Sequence, residues 1–405
     1  MDDNLYMKRA IRLAAKARHM TSPNPMVGAV MVKGGKTISE DFHRRAGTPH
    51  AEALAIEKAG KNADGSTLYI NLEPCCHTEK RTPPCTRAII SAGIKEVIIA
   101  MKDPNPMVSG RGIAELQKAG LKIRSGILEN EAKRLNETYI KYITTGKPFV
   151  ILKIAMTLDG KIATPEGQSK WITSEEARKM VHHLRSSVDA VMTAIGTVKA
   201  DNPELTARMG GAKNPRRIVI DPNLEIPLDS KILQVPPQTI IVTKKFHSLQ
   251  VNNPPLPPFN SPSTSHDLSK GARLPSVGQG YRGVKGGEGG LSIEEKIKIL
   301  LNRGIQFIEH KGEKVNLPWL MRKLGEKEIT SVLVEAGSSM NAYALEEGIV
   351  DKVMVFIAPK IIGGKESFPA VGGRSFRKLE EAYRLKDVKV RRVGGDILIE
   401  GYIEK

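Results

Sequence analysis

The sequence predicts two successive α/β domains, and three observations predict them. Residues 4–100 alternate helix-period and strand-period segments. Thr144-Thr145-Gly146-Lys147-Pro148 then ends a helical pattern, just ahead of the apolar run Phe149-Val150-Ile151-Leu152. Beyond that break a second alternation runs to the end of the chain. We expect one domain over 1–145 and another over 148–405.

In the first domain, Leu5, Ile11, Ala14 and Ala15 recur at helical spacing, which predicts a helix over 4–19. Residues 27–32 form an apolar run closed by Gly34-Gly35, a strand and its turn. Residues 52–60 read as a helix ended by glycine, 66–71 as a strand, 85–92 as a helix and 96–100 as a strand. This order suits a layered αβα domain. In the second domain, apolar runs predict strands at 149–155, 188–192, 216–221, 238–243, 305–308, 329–334 and 351–358. Helices are expected at 174–187, 292–303, 316–325 and 338–348. Residues 388–392 and 396–403 alternate around Gly394-Gly395, which predicts a terminal antiparallel hairpin. Between 246 and 290, 20 of 45 residues are Pro, Gly or Ser. That composition buries too little apolar surface to offset chain entropy, so a flexible insertion is expected there.

The 405 residues are 40% hydrophobic and 26% charged, as in ordinary soluble globular proteins. Three cysteines exclude a disulfide scaffold and suit a reducing cytoplasm. Residues 1–20 interleave charge with apolar side chains, unlike a signal peptide, and no apolar run approaches the ~18 residues of a membrane span. The net charge of +18 admits either nucleic acid or small phosphorylated molecules. An aromatic content of 4% argues against stacking platforms for single strands, so no specific nucleic acid is expected.

One constellation carries chemistry. His50-Ala51-Glu52 opens a helix, Pro74-Cys75 follows a strand, and Pro83-Pro84-Cys85 opens another helix. One His and two Cys supply three ligands of a tetrahedral zinc ion and leave the fourth position for water, the catalytic arrangement. Glu52, two residues from His50, then serves as the proton shuttle. His-x-Glu with later cysteines is the known signature of zinc deaminases, although Cys75 and Cys85 are more widely spaced than its usual Cys pair. Cys76 reads as a structural bystander, and His77 as a substrate or structural residue rather than a ligand.

The first ~145 residues resemble the deaminase half of the bifunctional riboflavin biosynthesis protein family. The resemblance rests on Ser22-Pro23-Asn24-Pro25, Val27-Gly28, Phe42-His43, His50-Ala51-Glu52, Leu72-Glu73-Pro74-Cys75, Thr82-Pro83-Pro84-Cys85 and Asp103-Pro104-Asn105-Pro106. The family's cysteines are widely spaced, as here. Asp41 stands where that family commonly has glycine. The resemblance implies a cytidine-deaminase-like fold, with Asn24, His43, Asp103, Asn105 and a loop cation, Lys80 or Arg81, on a phosphorylated pyrimidine.

The second domain has no G-x-G-x-x-G after a strand, so no Rossmann site is indicated. Its polar clusters resemble the reductase half of the same family, whose fold is like dihydrofolate reductase. The resemblance implies a substrate pocket of Lys153, Ser169, Arg185, Asp201, Leu205, Arg208 and Glu335, with Arg185 and Arg208 near the phosphate. It implies NADPH along Ala155, Trp171, Thr173, Gly196, Thr197, Asn202, Gly337 and Ser338. The expected protein is therefore a cytoplasmic, homo-oligomeric, zinc- and NADPH-dependent bifunctional enzyme. The rivals are a nucleic-acid or nucleoside base deaminase with an unrelated C-terminal domain and an RNA-binding protein with a structural zinc.

Overall fold

The structure, a computed structural model, describes residues 2–18, 20–77, 83–237, 239–245 and 291–404. Lys80, Arg81 and the segment 246–290 lie outside these residues.

The first half runs α1 (Asp3–Ala15), β1 (Gly28–Lys33), β2 (Lys36–Phe42), α2 (Ala51–Ala59), β3 (Thr67–Leu72), α3 (Cys85–Ser91), β4 (Glu96–Met101), α4 (Arg111–Lys118), β5 (Lys122–Ser125), α5 (Glu129–Leu135) and α6 (Glu137–Thr145). Its sheet has the order β2-β1-β3-β4-β5. β1 is antiparallel to both neighbours, whereas β3, β4 and β5 are parallel. β3 and β4 are almost wholly buried, as a covered parallel sheet requires.

The second half runs β6 (Phe149–Thr157), β7 (Lys161–Ala163), α7 (Glu175–Ser186), β8 (Ala190–Ala194), α8 (Ile195–Asp201), β9 (Arg216–Ile220), β10 (Thr239–Lys244), α9 (Ile293–Asn302), β11 (Gln306–His310), α10 (Leu317–Gly325), β12 (Ser331–Val334), α11 (Ser338–Glu346), β13 (Lys352–Ala358), β14 (Phe368–Pro369), β15 (Leu385–Val393) and β16 (Asp396–Ile403). Nine strands form one sheet of order β11-β10-β9-β8-β12-β6-β13-β16-β15. The strands from β11 to β13 are parallel, and β15–β16 is the expected antiparallel hairpin. The chain skips a place between β6 and β8 and returns to fill it with β12. Such a switch leaves a crevice at the carboxyl ends of the strands, where open α/β sheets bind ligands. No helix among the described residues is long and apolar enough to cross a membrane.

The structure adds elements that the apolar pattern does not announce. β2 buries Ser39 and Asp41 on its inward face, so the period-2 signal is carried by polar residues. Ser39 donates to the carbonyl of Ala55, and Asp41 pairs with Arg44 and Lys58 at 2.9 and 2.7 Å. The aspartate that replaces the family's glycine is thus satisfied within the fold. α4, β5, α5, α8 and the β7–β14 pair are short, and amphipathic spacing over one or two turns is a weak signal.

The two sheets are joined by a polar seam. Lys141 meets Asp351 at 2.6 Å, and Glu137 meets Lys352 at 3.2 Å. The Tyr142 hydroxyl donates to the carbonyl of Gly325 at 3.2 Å. Ser22 Oγ donates to Asp189 Oδ2 at 2.9 Å, the same oxygen that receives the Thr330 amide and hydroxyl at 2.8 and 2.7 Å. At Gly325, an added Cβ would stand 1.9 Å from the carbonyl oxygen of Gly146. Two backbones would have to part, so Gly325→Ala is expected to cost about 1–3 kcal/mol. A lowered urea midpoint checks this, and an unchanged midpoint would refute the close approach.

Candidate active sites of the two halves

The first site is assembled at two helix starts and one strand end. His50 is the N-cap of α2, Cys85 is the first residue of α3 after Pro84, and Cys75 follows β3. Their ligand atoms lie within 4.8 Å of one another. His50 Nδ1 is 3.2 Å from Cys85 Sγ and 3.6 Å from Cys75 Sγ. A tetrahedral zinc with Zn–S near ~2.3 Å and Zn–N near ~2.0 Å holds N and S about 3.5 Å apart, so the three donors fit that ion. The Cys85 amide points at Cys75 Sγ at 3.5 Å, a contact that favours a thiolate. In the protein alone, the Cys75 thiol and burial push the Cys85 thiol up. A dication between the sulfurs reverses that direction, because a coordinating thiol is deprotonated outright.

Glu52 lies in the first turn of α2, 3% exposed, and its Oε2 has no hydrogen-bond partner among the described residues. Burial pushes its carboxyl up. A buried carboxylate oxygen left open beside a ligand cluster is costly unless something else meets it.

The structure sets His43 beside this cluster. The His43 ring lies edge-on to the His50 ring, centroids 5.2 Å apart, with Nδ1 3.2 Å from the carbonyl of Pro49. Asp103 is buried after β4, and its Oδ1 accepts from the Asn105 amide at 2.9 Å and the Tyr139 hydroxyl at 2.8 Å. Asn24 lines a cleft of about 70 Å³ between the halves, together with Tyr139 and Lys213. Sequence reasoning missed Glu73, although it lies inside the quoted Leu72-Glu73-Pro74-Cys75. Its buried carboxylate accepts from the amides of Asp103, Gly110 and Ile113 and so holds the 103–113 loop. Its place directly before Pro-Cys was the available signal.

The second site lies at the strand ends of the nine-stranded sheet. Glu335 follows β12, and Lys153 points from β6 with Nζ 3.4 Å from Glu335 Oε2. Arg185, from α7, grips the same carboxylate with Nε at 2.7 Å and Nη2 at 3.0 Å. Burial alone would raise the Glu335 carboxyl, but Arg185 and Lys153 outweigh it and hold it at about 2. Arg185 Nη1 donates to the carbonyl of Thr206, so its guanidinium is engaged on the Glu335 side and on the loop side. Arg208, by contrast, is exposed and only loosely paired with Glu204 at 3.3 Å.

Asn202, Leu205 and Arg208 all hold positive φ, 43°, 54° and 51°. Three left-handed non-glycine residues in one short loop are strain that the surrounding fold has to maintain, a feature typical of ligand sites. Ser169 Oγ donates to Asp201 Oδ1 at 3.2 Å, which ties the segment before α7 to the end of α8. Trp171 is 63% exposed beneath the Arg178 guanidinium, which is 4.5 Å from its ring centroid. Arg178 also donates to the carbonyl of Thr173. Ala155 lies on β6, and Gly196 and Thr197 open α8 after β8. Gly337 caps α11 next to Thr197, where a Cβ would stand 3.9 Å from Thr197 Oγ1, and Ser338 begins the helix. Gly196, Thr197, Gly337 and Ser338 thus gather at neighbouring strand ends, with a helix N-terminus that can receive an anionic group.

Comparison with known proteins agrees with both halves. Residues 1–101 match the family described as the cytidine and deoxycytidylate deaminase zinc-binding region. Residues 148–253 and 291–399 match the RibD C-terminal domain. The riboflavin biosynthesis protein RibD of Aquifex aeolicus is 41% identical over 98% of this chain and 97% of its own length. That of Escherichia coli K12 is 36% identical over 98% and 99%. The structure of Acinetobacter baumannii RibD superposes with a TM-score of 0.81 at 32% identity, covering 100% of this chain and 99% of that one. A Thermotoga maritima diaminohydroxyphosphoribosylaminopyrimidine deaminase/5-amino-6-(5-phosphoribosylamino)uracil reductase superposes with a TM-score of 0.78 at 33% identity, covering 99% of each chain. With full-length relatives above 30% identity and both halves matched, the chain belongs to the RibD family of bifunctional riboflavin biosynthesis deaminase/reductases.

Proposed function

We propose that residues 1–145 deaminate 2,5-diamino-6-ribosylamino-4(3H)-pyrimidinone 5′-phosphate. Residues 148–405 then reduce the ribosyl side chain of 5-amino-6-(5-phosphoribosylamino)uracil to the ribityl form with NADPH. The observation that carries the reading is the His50, Cys75 and Cys85 cluster with the buried Glu52 beside it. Zinc held by these three residues supplies Lewis-acid activation of the hydrolytic water. Glu52 takes the proton that this activation releases and delivers it to the departing ammonia. Asn24, His43, Asp103 and Asn105 orient the pyrimidine, and Lys80 or Arg81 meets the phosphate.

In the second half NADPH supplies the hydride. Ala155, Trp171, Thr173, Gly196, Thr197, Asn202, Gly337 and Ser338 form its bed. Lys153, Ser169, Asp201, Leu205 and Glu335 surround the ribosyl group. Because Arg185 is committed to Glu335, we assign the phosphate contact to Arg208 and give Arg185 the task of holding Glu335 ionised. The free cysteines suit a reducing cytoplasm, and a homo-oligomer remains part of the reading.

Metal removal tests the division of labour. Exhaustive chelation is expected to stop ammonia release from the diaminopyrimidine phosphate, while NADPH oxidation on the deaminated compound continues. Loss of both activities, or of neither, would refute it.

A further inference from the structure

Both cysteine segments of the first site touch the helix that follows the 103–110 loop. That helix, α4, starts at Arg111 with Gly110 as its N-cap. At Gly112, an added Cβ would stand 2.1 Å from the carbonyl oxygen of Pro74, the peptide group that leads directly into Cys75. Further along α4, Glu115 Oε1 accepts from the hydroxyl of Thr86 at 3.0 Å, and Thr86 is the neighbour of Cys85. The Thr86 amide also donates to the carbonyl of Cys75 at 3.2 Å.

Glu73 fastens this helix to the loop. Its Oε2 accepts the amides of Asp103 and Gly110 at 3.2 and 3.0 Å, so one oxygen closes both ends of the segment that carries Asn105. Its Oε1 accepts the Ile113 amide at 3.1 Å, in the first turn of α4. Amides of a first turn have no acceptor inside the helix, and their dipoles favour a carboxylate. The Gly110 N-cap has no side chain to serve them, and Glu73 serves them from the end of β3. The Tyr139 phenol and the Asn105 amide hold the Asp103 carboxylate, whereas Glu73 holds the backbone beneath it.

We propose that Glu73 and Gly112 are positioning residues for deamination: together they set the spacing between the 103–110 loop and the Cys75 segment, and so between the pyrimidine and the metal. This rests on the reading of Asp103 and Asn105 as pyrimidine-binding residues and of Cys75 as a zinc ligand. A carboxylate suits the place of Glu73 and an amide does not. All three donors printed against it are N–H groups, whereas a glutamine offers one oxygen and one –NH2. Whichever way that glutamine turns, an N–H meets an N–H, at the loop base or at the start of α4, and one of them has to move. A Cβ at residue 112 meets backbone, so there the Pro74–Cys75 segment or α4 has to give. Deamination is sensitive to such shifts, since a misplacement of ~1 Å between reacting groups costs on the order of 10²-fold.

The test uses the full-length protein with Glu73→Gln and Gly112→Ala. Zinc affinity is read without substrate, by competition with a chromogenic chelator, and deamination by KM and kcat for ammonia release at saturating zinc. Gly112→Ala is expected to weaken zinc binding about tenfold or more, the lower end of the ~10–100-fold typical of changes just outside a metal's ligands. Glu73→Gln is expected to lower kcat/KM for ammonia release about tenfold or more. NADPH oxidation on the deaminated compound stays near wild type in both. A purely structural role would lower the urea midpoint and leave the zinc affinity and kcat/KM of folded protein unchanged. Wild-type zinc affinity in Gly112→Ala, or wild-type kcat/KM in Glu73→Gln, would therefore overturn the proposal. Should Gly112→Ala not fold, Glu73→Gln, which fills the same volume, decides alone. Wild-type deamination by Asp103→Asn would instead overturn the pocket reading, and an unmutated chain that binds no zinc would overturn the metal reading.

Discussion

Arg185→Ala is expected to remove reductase activity and leave ammonia release intact. Arg185 and Glu335 are 14% and 7% exposed in their side chains, and the pair is bidentate. Deleting one member of a buried pair typically costs about 3–5 kcal/mol, because the other charge stays buried without compensation. Lys153, 3.4 Å away, keeps the loss toward the lower end. A chain with ordinary stability of about 5–15 kcal/mol remains folded at 25 °C, so the lost rate is a lesion of the site. The pH dependence has a fixed sign. Glu335 is depressed to about 2, so the pair's contribution is complete above the ordinary glutamate pKa and disappears as pH falls through about 2. The stability gap between wild type and Arg185→Ala, read by urea unfolding, should therefore shrink on acidification. A gap that widened in acid, or full NADPH oxidation by the variant, would contradict the assignment.

Glu52→Gln is expected to keep zinc and lose deamination. The substitution preserves shape in a site 3% exposed and removes a charge whose burial is unfavourable, so folding does not suffer. The three clustered donors are His50, Cys75 and Cys85, and metal content by atomic spectroscopy should stay near one per chain. An amide cannot carry the proton from water to ammonia, and a lost general acid–base costs about 10²–10⁴-fold. NADPH oxidation is unaffected, because Glu52 belongs to α2 of the first sheet. If zinc were lost in this variant, Glu52 would be a ligand or a scaffold residue and the shuttle role would fall.

The metal cluster was legible because each donor is marked locally. Pro49 and Pro84 announce the helix starts that carry His50 and Cys85, and Glu52 follows at a fixed interval. The covered strands of both sheets, β3 and β4 among them, were legible because such strands are continuous apolar runs. The Arg185–Glu335 pair was not, since 150 residues separate its members and nothing beside Arg185 says that it faces a carboxylate rather than a phosphate. Tyr139 and Glu73 escaped for the same reason, as their partners are set by tertiary packing. The left-handed conformations of Leu205 and Arg208 are invisible because neither residue type advertises positive φ. β2 escaped because its buried face is polar.

The hydrogen bond from Ser22 to Asp189 ties a loop of the first half to the second sheet. Ser22 lies two positions before Asn24, on a loop whose far side closes the cleft over the second sheet. Asp189 is buried, and burial pushes its carboxyl up, so the hydroxyls and amide gathered on Oδ2 are what keep it compatible with the interior. Cutting the chain at 146 would strip one donor from that oxygen and let water into the seam. A ligand that binds only the folded first half adds RT ln(1 + [L]/Kd) to the stability of whatever melts with it. The loop that carries Asn24 also supplies the Ser22 hydroxyl to Asp189, so that stabilisation has a route to the second sheet. A ligand of the first site is therefore expected to raise the melting temperature of the second sheet as well, and calorimetry with and without that ligand checks it.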